Sequence, residues 1–224
     1  MKSFFRISFC LLLLICAFTI QAEAADSKID FTGFVDLFDG KTLDGWEKLV
    51  SYNEFGQWEV IDGCIAGDQW PAGKGGLLVT KKKYSNYELY AEVKTTYPQD
   101  SGLFLRVQPD VLSYQITIDH RPTGEIGAVY VPGGGGFHQH CYEGFSHWHP
   151  NEFNTMRVRI EGQPPRIQVW IGETKITDHQ STLNKDGKPF VPESGVIGVQ
   201  VHPGENWKKG SKVLFRKIMI KELK

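Results

Sequence analysis

The sequence consists largely of short apolar runs in which hydrophobic and polar residues alternate from one position to the next. Leu103, Leu105 and Val107 alternate in this way with their neighbours, as do Ile116 and Ile118 further along. Successive side chains of a strand point to opposite faces of a sheet, so this period of two is typical of half-buried strands. The chain's 24 glycines and 11 prolines interrupt the runs, and no long stretch has the period of an amphipathic helix. The chain is therefore predicted to be all-β.

The alternating segments and the turn signals between them predict the strands individually. The predicted strands are Phe34–Phe38, Gln57–Ile61, Cys64–Ala66, Gly76–Val79, Tyr87–Val93, Gly102–Gln108, Tyr114–Asp119, Gly127–Val131, Asn154–Glu161, Arg166–Ile171, Gly195–His202 and Lys212–Glu222. Asp62 and Gly63 form a tight-turn signal between two of them. So many strands in a chain of this length favour a two-sheet jelly-roll sandwich. In such curved sandwiches, the outer face of the concave sheet commonly forms the binding groove.

Residues 1–25 have the composition of a signal peptide. Lys2 and Arg6 give a positively charged start, Phe9–Ile20 is almost entirely apolar, and small residues follow up to Ala24. The apolar run is shorter than the ~20 residues that a membrane-spanning helix needs. We therefore predict an exported protein, periplasmic or extracellular, without a membrane span.

The remaining residues, 26–224, contain no linker, repeat or low-complexity segment, and we expect them to form one domain. A net charge of −1 gives no electrostatic basis for binding nucleic acid or an anionic membrane. In an oxidising compartment Cys64 and Cys141 could form a disulfide, but their spacing does not require it, and two free thiols is the equal alternative. The oligomeric state stays open.

The polar faces of the central predicted strands carry an unusual set of side chains. They comprise an arginine, two amides, a carboxylate and a histidine: Arg106, Gln115, Asp119, Gln200 and His202. Such groups can hydrogen-bond the hydroxyl groups of a sugar, whereas a merely solvated face more often mixes lysine and glutamate. We interpret this face as the floor of a carbohydrate site, and a solvated outer face is the alternative.

The segment Gly133–Pro150 combines four consecutive glycines with histidines in two i, i+2 pairs, His138 with His140 and His147 with His149. It is interpreted as a long loop at the site. Imidazoles spaced in this way could hold a divalent metal or supply a base near neutral pH. The alternative is an aromatic-packed loop with histidines as polar filler. The sequence requires no cofactor, and a divalent metal stays open.

Several further side chains are candidates for sugar contact or proton transfer. Tyr130, Trp148, Trp70 and Trp207 could stack on a sugar ring, with burial in the core as the alternative. Glu125 is a loop carboxylate that could act as an acid or base, although we expect it at the surface.

The order of the segments resembles one known family. The segments concerned are FVDLFDGKTLDGW (Phe34–Trp46), WEVIDGCI (Trp58–Ile65), GGLLVTKKKYSNYELYAEVK, SGLFLR, YQITID, GAVY, NEFNTMRVRI, GVIGVQVH and FRKIMIKEL. Together they resemble the 3-keto-disaccharide hydrolase family over nearly all of residues 26–224. The resemblance implies a concanavalin A-like jelly roll that cleaves glycosides whose glucose carries a ketone at C3.

The implied chemistry needs a base near C2, because the C3 ketone acidifies the C2 proton, and also an electrophile at the ketone oxygen and an acid at the glycosidic oxygen. The strand signature of jelly-roll glucanases, E-x-D-x-x-E, is absent, which disfavours the two-carboxylate route. Many relatives carry a glutamate where Gln115 stands, and a neutral amide cannot be the base. We therefore predict Asp119 and His138 as catalytic, His138 being favoured by its resemblance to a family Gly-Phe-His pattern.

The predicted substrate-binding residues are Arg106, Gln115, Tyr130, His140, Gln200, His202 and Trp148. The prediction is an exported enzyme that cleaves 3-keto-glucosides by elimination or net hydrolysis. The alternative is a non-catalytic carbohydrate-binding module, which would use the same floor but would need no base.

Overall fold

Two antiparallel sheets face each other in the computed structural model, which describes residues 29–50, 55–205 and 207–224. In spatial order, the first sheet contains β13 (Thr174–Gln180), β12 (Pro165–Ile171), β11 (Asn154–Gly162), β6 (Tyr87–Lys94), β15 (Val213–Glu222), β4 (Cys64–Asp68) and β3 (Gln57–Ile61), with β1 (Val35–Asp36) paired to β15. The second sheet contains β10 (Gly136–Gln139), β9 (Ile126–Val131), β8 (Tyr114–Asp119), β7 (Asp100–Val107), β14 (Val196–Val201), β5 (Gly76–Thr80) and β2 (Trp46–Lys48). A short 3-10 helix spans Gly144–His147. The predicted all-β, two-sheet jelly-roll sandwich is confirmed, and the predicted signal peptide lies outside the described residues.

The alternating residues build the core between the two sheets. On β11, Met156, Val158 and Ile160 are fully buried while the residues between them are partly exposed. Leu103 and Leu105 of β7 meet them from the second sheet as part of the same apolar cluster. Burying apolar side chains contributes roughly 25 cal/mol per Å² removed from water, so this cluster is the main source of stability.

The outer face of the second sheet is divided into an apolar part and a polar part. Phe104 of β7 packs with Leu77 and Val79 of β5 in a second apolar cluster on this face. Gln115 and Thr117 of β8 lie on the polar part, where neighbouring segments leave them almost fully buried. The polar part of this outer face is therefore the surface on which a site can form.

The predicted turn at Asp62 and Gly63 is present. Both residues have a positive φ, 49° and 73°, and Ile61 pairs directly with Cys64. Two consecutive positive φ angles are the signature of the tight hairpin turn that suits twisted strands. Asp62 tolerates this conformation because its short polar side chain can interact locally.

Three of the described strands were not predicted from the sequence. They are β2, β10 and β13, and β10 lies inside the segment Gly133–Pro150 that we expected to be a loop. Among the described strands, β10 pairs with β9 alone, and it begins at the last of four consecutive glycines, so its strand character depends on that neighbour rather than on its own alternation.

Arg106 is not on the polar outer face, and this prediction is wrong. Its φ is +52° where the register between β7 and β14 shifts, and its side chain is fully buried. The guanidinium group donates to the carbonyl oxygens of Ser85 and Gly162 and to the side-chain oxygens of Asn86 and Gln163, at 2.9–3.2 Å. Burial lowers the pKa of Arg106. The bulge thus turns Arg106 away from the groove, and it joins the second sheet to loops of the first.

Cys64 and Cys141 are both buried free thiols. The Cys141 thiol donates to the carbonyl oxygen of Ile176 at 3.4 Å, and Cys64 lies on β4 near the carbonyl oxygen of Asp62. The structure therefore has the free-thiol alternative. Within the described ranges, none of the helices is long and apolar enough to cross a membrane.

Candidate functional site

A groove of about 420 Å³ lies over the polar part of the second sheet's outer face. Its lining residues are Asp100, Gln115, Thr117, Asp119, Thr123, Gly124, Glu125, Tyr130, Pro132, Gly133, Phe137, Gln200 and His202. Five of the predicted site residues are therefore brought together here, namely Gln115, Asp119, Tyr130, Gln200 and His202. The predicted floor of the site is a real surface of the molecule, although its composition differs from the prediction.

The floor is built from amides around a glycine. The amide nitrogen of Gln115 donates to the side-chain oxygen of Gln200 at 3.3 Å. Gly102 lies between them, and a Cβ at this position would be only 2.8 Å from the Gln115 amide nitrogen. The other polar ends of the two glutamines make no hydrogen bond within the described residues, so they are available to sugar hydroxyl groups.

One end of the groove carries a row of ionisable side chains across four neighbouring strands. Asp100 and Asp119 are direct partners in the β7–β8 register, and the backbone of Asp119 bonds to that of Glu125 at the start of β9. On the other side, the His202 Nε2 atom after β14 lies 3.6 Å from Asp100 Oδ2. We refer to Glu125, Asp119, Asp100 and His202 as the acidic row.

Arg121 binds two carboxylates of the acidic row at once. Its Nε and Nη2 atoms donate to the two oxygens of Asp119 at 2.7 and 2.6 Å, and Nη2 also donates to Asp100 Oδ2 at 2.9 Å. The hydrogen bonds to Asp119 raise the pKa of Arg121, and the charge of Asp100 acts in the same direction. Fork-like pairing of this kind fixes geometry as well as charge. Asp119 is thus committed to Arg121.

Asp100 and His202 are both shifted toward their neutral forms. Burial, and then the charge of Asp119, raise the pKa of Asp100 to about 7 despite the opposing guanidinium of Arg121. Burial lowers the pKa of His202, and the charge of Arg121 contributes in the same direction. At neutral pH the His202 imidazole is therefore neutral, and the neighbouring Asp100 carboxyl group titrates near pH 7.

Glu125 is buried, not at the surface as the sequence led us to expect. Its Oε1 lies 2.6 Å from His140 Nδ1, and its Oε2 accepts the backbone N–H of Cys141 at 2.7 Å. The His140 ring is stacked between the rings of Phe137 and Tyr142, with centroids 4.8 and 5.5 Å away. His140 thus lies beside the groove and holds a groove-lining carboxylate.

Two other predicted site residues lie away from the groove. His138 points to the opposite side of β10, where its ring packs on Phe190 at 4.4 Å and its Nε2 faces the carbonyl oxygen of Gly134. Trp148 is 5% exposed and belongs to the core between the sheets. Neighbouring residues of an extended strand face opposite sides, so Phe137 reaches the groove and His138 does not. The assignments of His138 as catalytic and Trp148 as substrate-binding therefore have no geometric support.

The histidine pairs do not form the metal clasp that their spacing suggested. His138 and His140 are engaged by different partners, Gly134 and Glu125. Across residues 29–50, 55–205 and 207–224, no three His, Cys, Asp or Glu side chains are grouped so that they could hold a metal ion. A divalent metal stays a prediction that these residues do not support.

Sequence reasoning missed Asp100 and Arg121, and set Glu125 aside. A signal for Asp100 was available, because it lies two residues before Gly102 and shares its face once the strand is extended backwards. Arg121 comes after the end of β8, where alternation no longer predicts direction. The burial of Glu125 depends on the chain from His140 to Cys141, which is far from it in sequence.

The two-sheet architecture is shared with carbohydrate-active proteins of known structure. A provisionally assigned glycosyl hydrolase from Parabacteroides distasonis is 28% identical with a TM-score of 0.62, covering 85% of this chain and 99% of that one. A carbohydrate-binding module from Bacillus subtilis (15% identity, TM-score 0.54, 80% and 96% covered) has a similar fold. So does a β-1,3-1,4-glucanase (lichenase) from a mouse hindgut metagenome (14%, 0.54, 84% and 97%). At these lower identities the likeness shows the fold alone, a jelly-roll sandwich.

Residues 33–221 match the family described as a 3-keto-alpha-glucoside-1,2-lyase-like domain, and the chain belongs to this family. A 3-keto-disaccharide hydrolase from Bacteroides thetaiotaomicron is 34% identical over 98 residues, which are 40% of this chain and 34% of the relative. The chain thus spans about a third of that relative's length. The family resemblance seen in the sequence is confirmed.

Proposed function

We propose that this protein cleaves the glycosidic bond of 3-keto-glucosides by elimination across C1 and C2, followed by addition of water. The description of its family and the name of its Bacteroides relative support this substrate class. The observation that carries the mechanism is Asp100, a groove-lining carboxyl group with a pKa of about 7.

The reaction is balanced without an oxidant or a reductant. The ketone at C3 acidifies the C2 proton, and a base removes it. The electron pair of the C–H bond forms a C1=C2 double bond while the C1–oxygen bond to the aglycone breaks. The aglycone oxygen takes up a proton. Water then adds its hydroxyl group to C1 and a proton to C2, which gives free 3-keto-glucose.

Asp100 is the base in this proposal. A general base works best when its pKa is near the working pH, because enough of it is ionised while it still holds a proton well. The protonated Asp100 can then return the proton to the departing aglycone oxygen, which is attached to the adjacent carbon. One carboxyl group thus serves as base and then as acid.

Asp119 and Arg121 are positioning residues in this proposal. Asp119 accepts two hydrogen bonds from Arg121, and its charge helps to raise the pKa of Asp100. This arrangement moves the base from Asp119, where the sequence predicted it, to its partner across the β7–β8 pair. Gln115 and Gln200 would hold the sugar hydroxyl groups from below, beside the ring of Tyr130.

The decisive experiment is incubation with a 3-keto-glucoside in D₂O. We expect the wild type to release the aglycone and to place deuterium at C2 of the product. The Asp100→Asn variant should still bind the substrate but release the aglycone at least about 100-fold more slowly, since general bases contribute 10²–10⁴-fold. Asp186→Asn, a change at an exposed aspartate, is the matched control and should act like the wild type.

The alternative function makes a different prediction in the same experiment. A carbohydrate-binding module would bind the 3-keto-glucoside without release of the aglycone from any variant. Binding by the wild type without turnover would therefore refute the enzymatic proposal. An Asp100→Asn variant with full activity would refute the role of Asp100 only.

A further inference from the structure

A second concavity lies beyond the His202 end of the groove and has a different character. It has a volume of about 380 Å³, and we call it the tryptophan pocket; its lining residues are Asp68, Gln69, Trp70, Ala72, Trp207, Lys209 and Gly210. Trp70 is 69% exposed, so its indole ring is open to a ligand. Trp207 is half-buried and packs partly against the core.

The tryptophan pocket lies next to the acidic row. A small cleft between them is lined on one side by Asp100 and His202, which also line the groove. On its other side lie Gln69 and Trp207, which also line the tryptophan pocket. The cleft has a volume of only about 10 Å³, room for about one water molecule, so a substrate whose reacting bond lies at Asp100 has to pass over it, beside His202, to reach Trp70.

The loop that carries Trp70 is held at a fixed position relative to His202. The amide nitrogen of Gln69 donates to the carbonyl oxygens of His202 and Gly204 at 2.8 and 2.9 Å. Gly75 lies so close that a Cβ there would be 2.0 Å from the carbonyl oxygen of Val201. The tryptophan pocket is thus preformed beside the His202 end of the groove, and binding to it does not require the loop to be ordered first.

Asp68 and Gln69 of the tryptophan pocket already have hydrogen-bond partners within the protein. Asp68 Oδ1 accepts from the backbone of Gln69 at 2.7 Å and from the indole N–H of Trp207 at 2.9 Å. The Gln69 oxygen accepts from the backbone of Gly73 at 2.7 Å. Asp68 Oδ1 and the Gln69 oxygen are thus engaged by the protein, and apart from the Lys209 ammonium and the Trp70 N–H the lining is mainly indole surface, which suits an aromatic ring.

We propose that the tryptophan pocket binds an aromatic ring in the aglycone of the substrate, so that aryl-bearing 3-keto-glucosides are preferred. This inference rests on the proposed function, because it assumes that the 3-keto-glucosyl ring occupies the groove. The indole of Trp70 supplies the exposed face for the ring, and Trp207 supplies the inner wall.

The test compares benzyl and methyl 3-keto-glucosides, whose leaving alcohols have closely similar acidity. We expect kcat/KM of the wild type to be roughly tenfold higher for the benzyl compound, from burial and aromatic contact. Trp70→Ala should abolish this preference and leave the methyl compound within about twofold. Trp170→Ala removes an indole from the first sheet, where it packs under Arg157, and is the matched control.

A 3-keto-disaccharide serves as the third substrate and distinguishes a sugar from an aryl ring. If Trp70→Ala lowers kcat/KM for the disaccharide and not for the benzyl compound, the tryptophan pocket holds a sugar and the proposal is wrong. An equal loss for all three substrates would also overturn it, because the effect would then not depend on the aglycone.

A binding measurement keeps this inference separate from the proposed function. Benzyl glucoside should quench the tryptophan fluorescence of the wild type more strongly than methyl glucoside does, and this difference should vanish in Trp70→Ala. That result supports the pocket even if no 3-keto-glucoside is cleaved, in which case the proposed function alone fails. Equal quenching by the two glucosides in the wild type would refute the pocket.

Discussion

Asp100 illustrates how a residue's neighbours decide its chemistry. A carboxyl group in water has a pKa near 4, and the same group at the start of β7 has a pKa of about 7. Burial is the main cause, and the charge of Asp119 is the next. Arg121 opposes both but shares its guanidinium with Asp119, so it compensates only in part.

The pH dependence of activity tests this arrangement directly. A base acts in its ionised form, so kcat/KM of the wild type should rise with pH and level off above about pH 7. Asp119→Asn removes a negative charge that raises the pKa of Asp100 and leaves Asp100 as the one carboxylate paired with Arg121. The rise should therefore move to lower pH while most of the plateau activity remains. Rates measured from pH 4 to 9 would reveal the shift.

The same variant distinguishes the two candidate bases. If Asp119 removes the C2 proton, Asp119→Asn should lose activity at every pH by at least about 100-fold, and no shift would be measurable. Asp186→Asn should leave the profile unchanged, because it lies on an exposed loop.

At the scale of single elements, alternation along a strand predicts most of the floor. The period of two correctly placed Gln115, Asp119 and Gln200 on one face, because β8 and β14 are regular there. The period of two placed Arg106 on the wrong face, because a bulge reverses the direction of its side chain. The bulge follows from pairing with another strand, which local sequence does not reveal.

The prediction for the segment Gly133–Pro150 was wrong in part for a related reason. Runs of glycine predict a loop, yet pairing with β9 makes β10 a strand and decides that Phe137 rather than His138 faces the groove. Histidine spacing alone could not tell which face of an edge strand would meet the site.

Gly102 of β7, in the floor of the groove, gives a prediction at the scale of a single strand. Gly102→Ala would place a methyl group 2.8 Å from the Gln115 amide nitrogen and 3.0 Å from its Cγ atom. The glutamine would have to move into the groove, so we expect KM to rise by roughly five- to tenfold with kcat little changed, as for a loss of uniform binding. Steady-state kinetics with the methyl 3-keto-glucoside would test this. An unchanged KM would show that Gln115 does not contact the sugar.

At the scale of the whole molecule, the Arg106 side chain connects the two sheets by hydrogen bonds. It starts from β7 of the second sheet and donates to groups at the edges of β6 and β11 in the first. Replacing it leaves the carbonyl oxygens of Ser85 and Gly162 without their guanidinium donor at partly buried positions, where a missing hydrogen bond carries a desolvation cost. Its fixed place in the fold explains why its charge is not available to a ligand.

Arg106→Met should therefore destabilise the fold strongly. We expect the free energy of unfolding to fall by roughly 1–3 kcal/mol, the range for leaving hydrogen-bonding groups without their partner. Arg166→Met is the matched control, since Arg166 is exposed and its pair with Asp178 should contribute no more than about 1 kcal/mol. Urea denaturation of both variants gives the comparison. If both variants lost the same free energy of unfolding, the hydrogen bonds of Arg106 between the sheets would contribute no more than an exposed ion pair.

Asp100, Asp119 and Arg121 all belong to one β-hairpin, formed by β7, β8 and the turn after them. The charges that adjust the pKa of Asp100 are therefore encoded within about 20 consecutive residues, although its burial depends on other segments. A lineage that moved to more acidic or more alkaline surroundings could adjust its working pH by substitutions in this one hairpin. The packed core and the aglycone side of the molecule would be inherited unchanged.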